Sequence, residues 1–126
     1  MVNKKQILII EDDAQLFSVY SEVLKQEGFS ILKAQTATLA KQLIKSKPVD
    51  LVILNLLLPD QPGLEFLKEL RNNPKFAKTP VIVLTVLPEE AAFKKAAELG
   101  IHGYLTKNDI TPDTLVKRVH LALSES

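Results

Sequence analysis

No cysteine occurs in the chain, so neither a disulfide framework nor a thiolate metal site is available to it. Glycine is scarce, with four among 126 residues. That is too few for the glycine-rich loops with which dinucleotide-binding and P-loop folds cradle phosphate. An excess of one charge is also missing: 16 Lys and Arg face 15 Asp and Glu, for a formal net charge of +1. A phosphate-backbone binder would carry a strongly basic footprint, so no direct nucleic-acid contact is expected. No segment nears the roughly 18 consecutive apolar residues of a membrane span. The opening Met-Val-Asn-Lys-Lys-Gln leads into a short apolar run and then an acidic cluster, which is not the pattern of a signal peptide. These absences predict a soluble, cytoplasmic protein, and the length matches one domain of about 100–200 residues, so residues 1–126 are expected to form a single unit. A chain of this size buries roughly two-thirds of its unfolded surface and needs no staples.

What the chain does have is short apolar runs at regular intervals: Ile7 to Ile10, Phe29 to Leu32, Leu51 to Leu54, Val81 to Leu84, and Tyr104-Leu105. Three are continuous and rich in β-branched residues, the signature of strands buried on both faces of a parallel sheet. The second and last are short and mixed, which suits edge positions. Between the runs lie helical stripes: Leu16, Tyr20, Val23 and Leu24; Leu39, Leu43 and Ile44; Leu64, Leu67 and Leu70; Ala92, Ala96 and Leu99; Leu115, Val119 and Leu123. Gly28 and Gly100 follow the first and fourth stripes, where a left-handed helix terminus is easiest for glycine. Thr111-Pro112 reads as an N-cap followed by proline at the first helical position. Pro88 with Glu89 and Glu90 opens the fourth helix, its acids against the positive helix end.

The order is therefore strand–helix repeated five times, an α/β chain with a parallel sheet and helices on both faces. A five-stranded doubly wound sheet is expected in the order 2-1-3-4-5, the flavodoxin-like three-layer (βα)5 sandwich, with ligands at the carboxyl edge between strands one and three. At that edge stand Glu11-Asp12-Asp13, Asn55, Thr85 and Thr106-Lys107. Adjacent acids after an apolar strand are costly unless they reach water or a cation. Asp13 is expected to cap the first helix. Glu11 and Asp12 suit a hard cation such as Mg2+, which takes one or two carboxylates, keeps waters and bridges phosphate. Thr85 alone reads as a strand-end residue and Lys107 alone as a solvated lysine. Together, a hydroxyl and an ammonium facing carboxylates suit a transferring phosphoryl group.

Five segments in order carry a family resemblance: Ile7-Leu8-Ile9-Ile10-Glu11-Asp12-Asp13; Pro48-Val49-Asp50-Leu51-Val52-Ile53-Leu54 with Leu57-Leu58-Pro59; Gly63-Leu64; Pro80-Val81-Ile82-Val83-Leu84-Thr85; and Gly103-Tyr104-Leu105-Thr106-Lys107. Over essentially its whole length the chain resembles the receiver domain of two-component response regulators, chemotaxis-regulator-like. Such domains accept phosphate from a histidine kinase onto an aspartate ending the third strand. The resemblance implies that Glu11, Asp12 and the Leu57 backbone carbonyl hold Mg2+. It further implies that Thr85 bonds the phosphoryl oxygen, that Lys107 pairs with it, and that Tyr104 is the aromatic that swings as the hydroxyl moves.

The phosphoacceptor position, however, holds Asn55. Asp50 and Asp60 lie five residues away on either side. Asp50 opens the strand at the far edge, about 15 Å away at 3.3 Å per residue. A neutral amide cannot be the carboxylate nucleophile of acyl phosphate formation. The chain is thus expected not to be an enzyme, even toward itself, and Asn55 is expected to weaken Mg2+ binding to the point of possible loss. Removing one of three crowded carboxylates also relieves repulsion. Asn108 stands where the family has a proline on a cis bond, so a trans bond and a reshaped loop are expected. Pro62 replaces an acid or amide before Gly63 and stiffens that loop. Asn55 has three readings: a natural pseudo-receiver kept as an interaction module, a substitution trapping the unphosphorylated form, or a residue whose slow deamidation restores aspartate.

Partners implied by the resemblance are a histidine kinase or phosphotransfer protein. A homodimer or an output domain could use the surface of the fourth helix, fifth strand and fifth helix, decorated by Lys94, Lys95, Tyr104, Lys117 and Arg118. His102 and His120 have no partners at metal spacing. The competing class is a small flavodoxin-like binding or structural module without a phosphorelay role, which would leave the acidic cluster unexplained.

Overall fold

A computed structural model describes residues 4–125; Met1 to Asn3, which entered the argument against a leader, lie outside the described residues. The elements are β1 (Gln6–Ile10), α1 (Ala14–Gln26), β2 (Ser30–Ala34), α2 (Ala37–Ser46), β3 (Leu51–Leu54), α3 (Gly63–Asn72), β4 (Val81–Thr85), α4 (Glu89–Leu99), β5 (Gly103–Thr106) and α5 (Pro112–Glu125). A single 3-10 turn, Pro74–Phe76, precedes β4. All strands run parallel in the order β2-β1-β3-β4-β5, the expected flavodoxin-like arrangement with β2 and β5 at the edges.

Strand alternation divides the core into two layers. Ile7 and Ile9 of β1, with Ile53 of β3 and Leu84 of β4, meet Leu24 of α1 and Val119 of α5. Leu8 and Ile10, with Val52 and Val83, meet Ala40 of α2, Leu67 of α3 and Ala96 of α4. The apolar runs are continuous because both faces of the central strands are covered by helices.

Helix ends follow their chemistry. Asp13 Oδ1 accepts from the amides of Gln15 and Leu16 at 3.0 and 3.1 Å, Thr36 Oγ1 from Leu39 at 3.0 Å, and Thr111 Oγ1 from Thr114 at 3.2 Å. At the far end of α1, Gly28 (φ +95°) donates to the Lys25 carbonyl and Phe29 to the Leu24 carbonyl. This is a Schellman termination, with Phe29 supplying its hydrophobic contact. Phe29 therefore belongs to the helix end, which moves the start of β2 from the expected Phe29 to Ser30.

Two further differences have physical causes. Leu39, expected on the buried stripe of α2, is 37% exposed, while Ala37 and Ala40 are buried. The small alanines let α2 lie close to the sheet and turn the stripe by one residue. Arg71 of α3 also reaches across the fold: its guanidinium donates to the Gly100 carbonyl at 2.7 and 3.2 Å and to the Phe76 carbonyl at 2.8 Å. It clasps the end of α4 and the 3-10 turn to α3, through donors no local pattern reveals. Among the described residues no peptide bond is cis, including that before Asn108, and no helix is long and apolar enough to cross a membrane.

Candidate functional site

The sheet ladder continues one residue beyond three strands and thereby positions the site. The Glu11 amide donates to the Ala34 carbonyl at 2.9 Å, that of Asn55 to Ile10 at 3.1 Å, and that of Lys107 to Thr85 at 2.8 Å. Glu11, Asn55 and Lys107 are thus set at the carboxyl edge by backbone bonds before any side-chain contact is considered.

Their side chains converge. Lys107 Nζ lies 2.5 Å from Glu11 Oε1, and the two side chains are only 9% and 3% exposed. Glu11 Oε2 accepts from Asn55 Nδ2 at 3.2 Å and from the Asp13 amide at 3.1 Å. Asn55 Oδ1 accepts from the Leu57 amide at 3.1 Å. A buried carboxylate is tolerable only when paired and hydrogen-bonded, and Glu11 is both. The resemblance pairs Lys107 with a phosphoryl group; in the fold its partner is Glu11, at the end of β1. The negative field here reaches Tyr20, whose hydroxyl is held above the usual tyrosine range by burial first and then by Glu11 and Asp13.

The other expected site residues stand apart from this network. Asp12 is exposed. Thr85 is fully buried, and its Oγ1 accepts from the Leu87 amide at 3.4 Å. Tyr104 donates from its hydroxyl to the Leu87 carbonyl at 3.0 Å, with the Pro88 carbonyl at 3.3 Å. Thr85 and Tyr104 are therefore joined through the β4–α4 turn rather than through the carboxylate cluster. Leu57, two residues past Asn55, and Val86, next to Thr85, are each 48% exposed.

Two residues named in the sequence have supporting contacts that the sequence reading did not assign. Asp60 accepts from the Ala37 and Thr38 amides at 3.0 and 2.8 Å and from Thr38 Oγ1 at 2.7 Å. These bonds, that of the Thr38 hydroxyl foremost, lower its carboxyl to about 2. It ties the β3–α3 loop to the start of α2, and an isolated loop aspartate gives no signal of that. Gly63 packs beneath Asn55: a β-carbon there would lie 2.6 Å from the Asn55 carbonyl oxygen and from Leu56 Cα.

A divalent cation needs oxygen lone pairs that face it without competing protons. Glu11 here already serves an ammonium and two N–H donors. Asn55 turns its Nδ2 protons toward Glu11 and gives its oxygen to Leu57. Among the described residues no three His, Cys, Asp or Glu side chains gather in a metal-holding group. As arranged, the cluster does not fit Mg2+.

The family model described as the response regulator receiver domain matches residues 7–120. The transcriptional regulatory protein CpxR of Klebsiella pneumoniae is 36% identical over 121 residues, 96% of this chain and 50% of CpxR. The chain thus spans about half the length of that relative. A CheY-like response regulator receiver domain protein from Methanospirillum hungatei superposes with a TM-score of 0.90 at 24% identity, covering 98% of this chain and 96% of that one. The Mn(2+)-bound form of the response regulator Rcp1 superposes at 0.79 with 28% identity, over 93% of this chain and 91% of Rcp1.

Proposed function

This chain belongs to the response regulator receiver domain family, and from that premise we propose that it is a pseudo-receiver, signalling by protein contact without accepting phosphate. The observation that carries the proposal is Asn55, which directly follows β3 at the buried centre of the site, where the family resemblance puts the phosphoacceptor. Its neutral amide lacks the negative charge and the nucleophilic oxygen of a carboxylate, so the attack on phosphorus has no agent. The chain is accordingly not an enzyme toward itself.

The remaining site residues keep positions without the transfer. Thr85 and Lys107 occupy the places of the phosphoryl-contacting hydroxyl and ammonium; Glu11, Asp12 and the Leu57 carbonyl occupy those of the metal ligands, without the third carboxylate that would complete an Mg2+ site. Tyr104 takes the place of the switch aromatic, held by its hydroxyl to the β4–α4 turn. The contact surface is proposed to be α4–β5–α5. Phe93 is 44% exposed there and packs edge-on against Tyr104 with ring centroids 5.8 Å apart, and Lys94 and Lys95 of α4 and Lys117 of α5 are exposed. A second copy or an output domain would dock on it, and a histidine kinase or phosphotransfer protein at the site edge. The lack of a basic footprint supports readout by protein rather than by direct nucleic-acid contact, in the cytoplasm.

The test is intact mass after incubation with Mg2+ and acetyl phosphate. An unmodified mass is expected. A gain of one phosphoryl group would overturn the proposal.

A further inference from the structure

In the carboxylate cluster the charges sum to nothing a metal would complete: one carboxylate from Glu11, one ammonium from Lys107, and a neutral amide from Asn55. We propose that Lys107 is the built-in cation of this site, and that the Lys107–Glu11–Asn55 network closes the cluster to divalent metal. The inference deepens the receiver reading and rests on it only for the choice of Mg2+ as the ion to test.

Three observations support it. First, the amide orientation of Asn55 is fixed from two sides. Its Oδ1 meets the Leu57 N–H at 3.1 Å and its Nδ2 meets Glu11 Oε2 at 3.2 Å. Flipping the amide would set oxygen against carboxylate and N–H against N–H, so both contacts would become repulsive. Protons, not lone pairs, therefore face Glu11 from β3. Second, the Lys107–Glu11 pair is withdrawn from water, with side chains 9% and 3% exposed. An ion entering beside Glu11 would have to stand against the ammonium in a medium that screens poorly. Third, the network is built in advance. The backbones of all three residues are stitched to neighbouring strands, so little ordering opposes the contacts. Asp12, the other carboxylate of the expected metal set, is left exposed, where a lone carboxylate holds Mg2+ poorly.

Aspartate in place of Asn55 would change the balance by one charge and reverse the sense of one hydrogen bond. A carboxylate against Glu11 Oε2 would repel it, and Lys107 could not neutralise both. The opening would then suit a divalent ion.

The experiment uses the full chain and two probes, Mg2+ followed by amide shifts and Mn2+ followed by paramagnetic broadening. The native chain is expected to show no saturable binding in the millimolar range and no broadening centred on Glu11, Asn55 and Leu57. Lys107→Met should gain Mg2+ affinity by about 10–100-fold, the size expected when a like charge a few ångströms from the ion is removed. Because that variant leaves Glu11 buried without a counter-ion and can unfold, Asn55→Asp is the second test, with a gain of at least that size expected while Lys107 stays in place. Saturable binding by the native chain, or an affinity that Asn55→Asp leaves unmoved, would overturn the inference. Metal binding without phosphate uptake would sink it alone and leave the pseudo-receiver reading standing. Phosphate uptake by a chain that still excludes Mn2+ would do the reverse.

Discussion

Gly63→Ala should be one of the most damaging single-methyl changes in this protein, although the residue opens a surface helix. The added carbon would lie 2.6 Å from both the Asn55 carbonyl oxygen and Leu56 Cα, and 3.1 Å from the Leu56 carbonyl carbon. All three are backbone atoms, so no side chain can rotate away. The Gly63 amide also donates to the Leu56 carbonyl at 2.8 Å, which holds the start of α3 against the end of β3. Relieving the overlap means moving one away from the other by most of an ångström. Overpacking by one methyl costs about 1–3 kcal/mol, and a clash confined to backbone belongs at the top of that range. Alanine recovers up to about 1 kcal/mol through helix propensity and a stiffer unfolded chain. The net expectation is a loss of about 2 kcal/mol. With a urea slope of about 1–3 kcal/mol/M, the unfolding midpoint should fall by about 1 M with the slope unchanged. Amide shifts should concentrate at Asn55, Leu56 and Leu57. A midpoint within about 0.3 M of native, well inside that expectation, would refute the argument that close backbone approach demands glycine here.

Other expectations follow from the same contacts. Asn55→Asp should take up one phosphoryl group from acetyl phosphate in Mg2+, read by intact mass; a resistant variant would show that the site has been wrongly assigned. Asp60 has its pKa lowered from 3.8 to about 2 in the folded chain. Its stabilising bonds are therefore complete above pH 3.8 and lost as pH falls toward 2. Asp60→Asn should flatten acid unfolding in that window, and an unchanged acid limb would exclude the clasp. Arg71→Met should cost about 1.5–3 kcal/mol, the range for hydrogen bonds to a charged donor, and loosen amide exchange at the end of α4. Tyr104→Phe should cost about 0.5–1.5 kcal/mol and shift the amides of Leu87 and Glu89; unmoved amides there would detach Tyr104 from the β4–α4 turn.

The sequence by itself determined the layers and the place of the site. Apolar runs that need cover on both faces demand a parallel sheet between helices, and Asp13, Thr111, Gly28 and Gly100 mark helix ends through bonds that span only a few residues. Those interactions are local, so a linear pattern can display them. The place of Asn55 at the carboxyl edge was legible as well, because strand register identifies the residue that follows the third apolar run. Tertiary structure decided what each polar group at that edge touches. Lys107 pairs with Glu11 because β5 and β1 deliver both residues to one edge of the sheet. Asp60 reaches the start of α2 across a separation of 22 to 23 residues, and Gly63 must be glycine because two backbones meet there. Such contacts depend on distances between chain segments far apart in sequence, and only packing sets those distances.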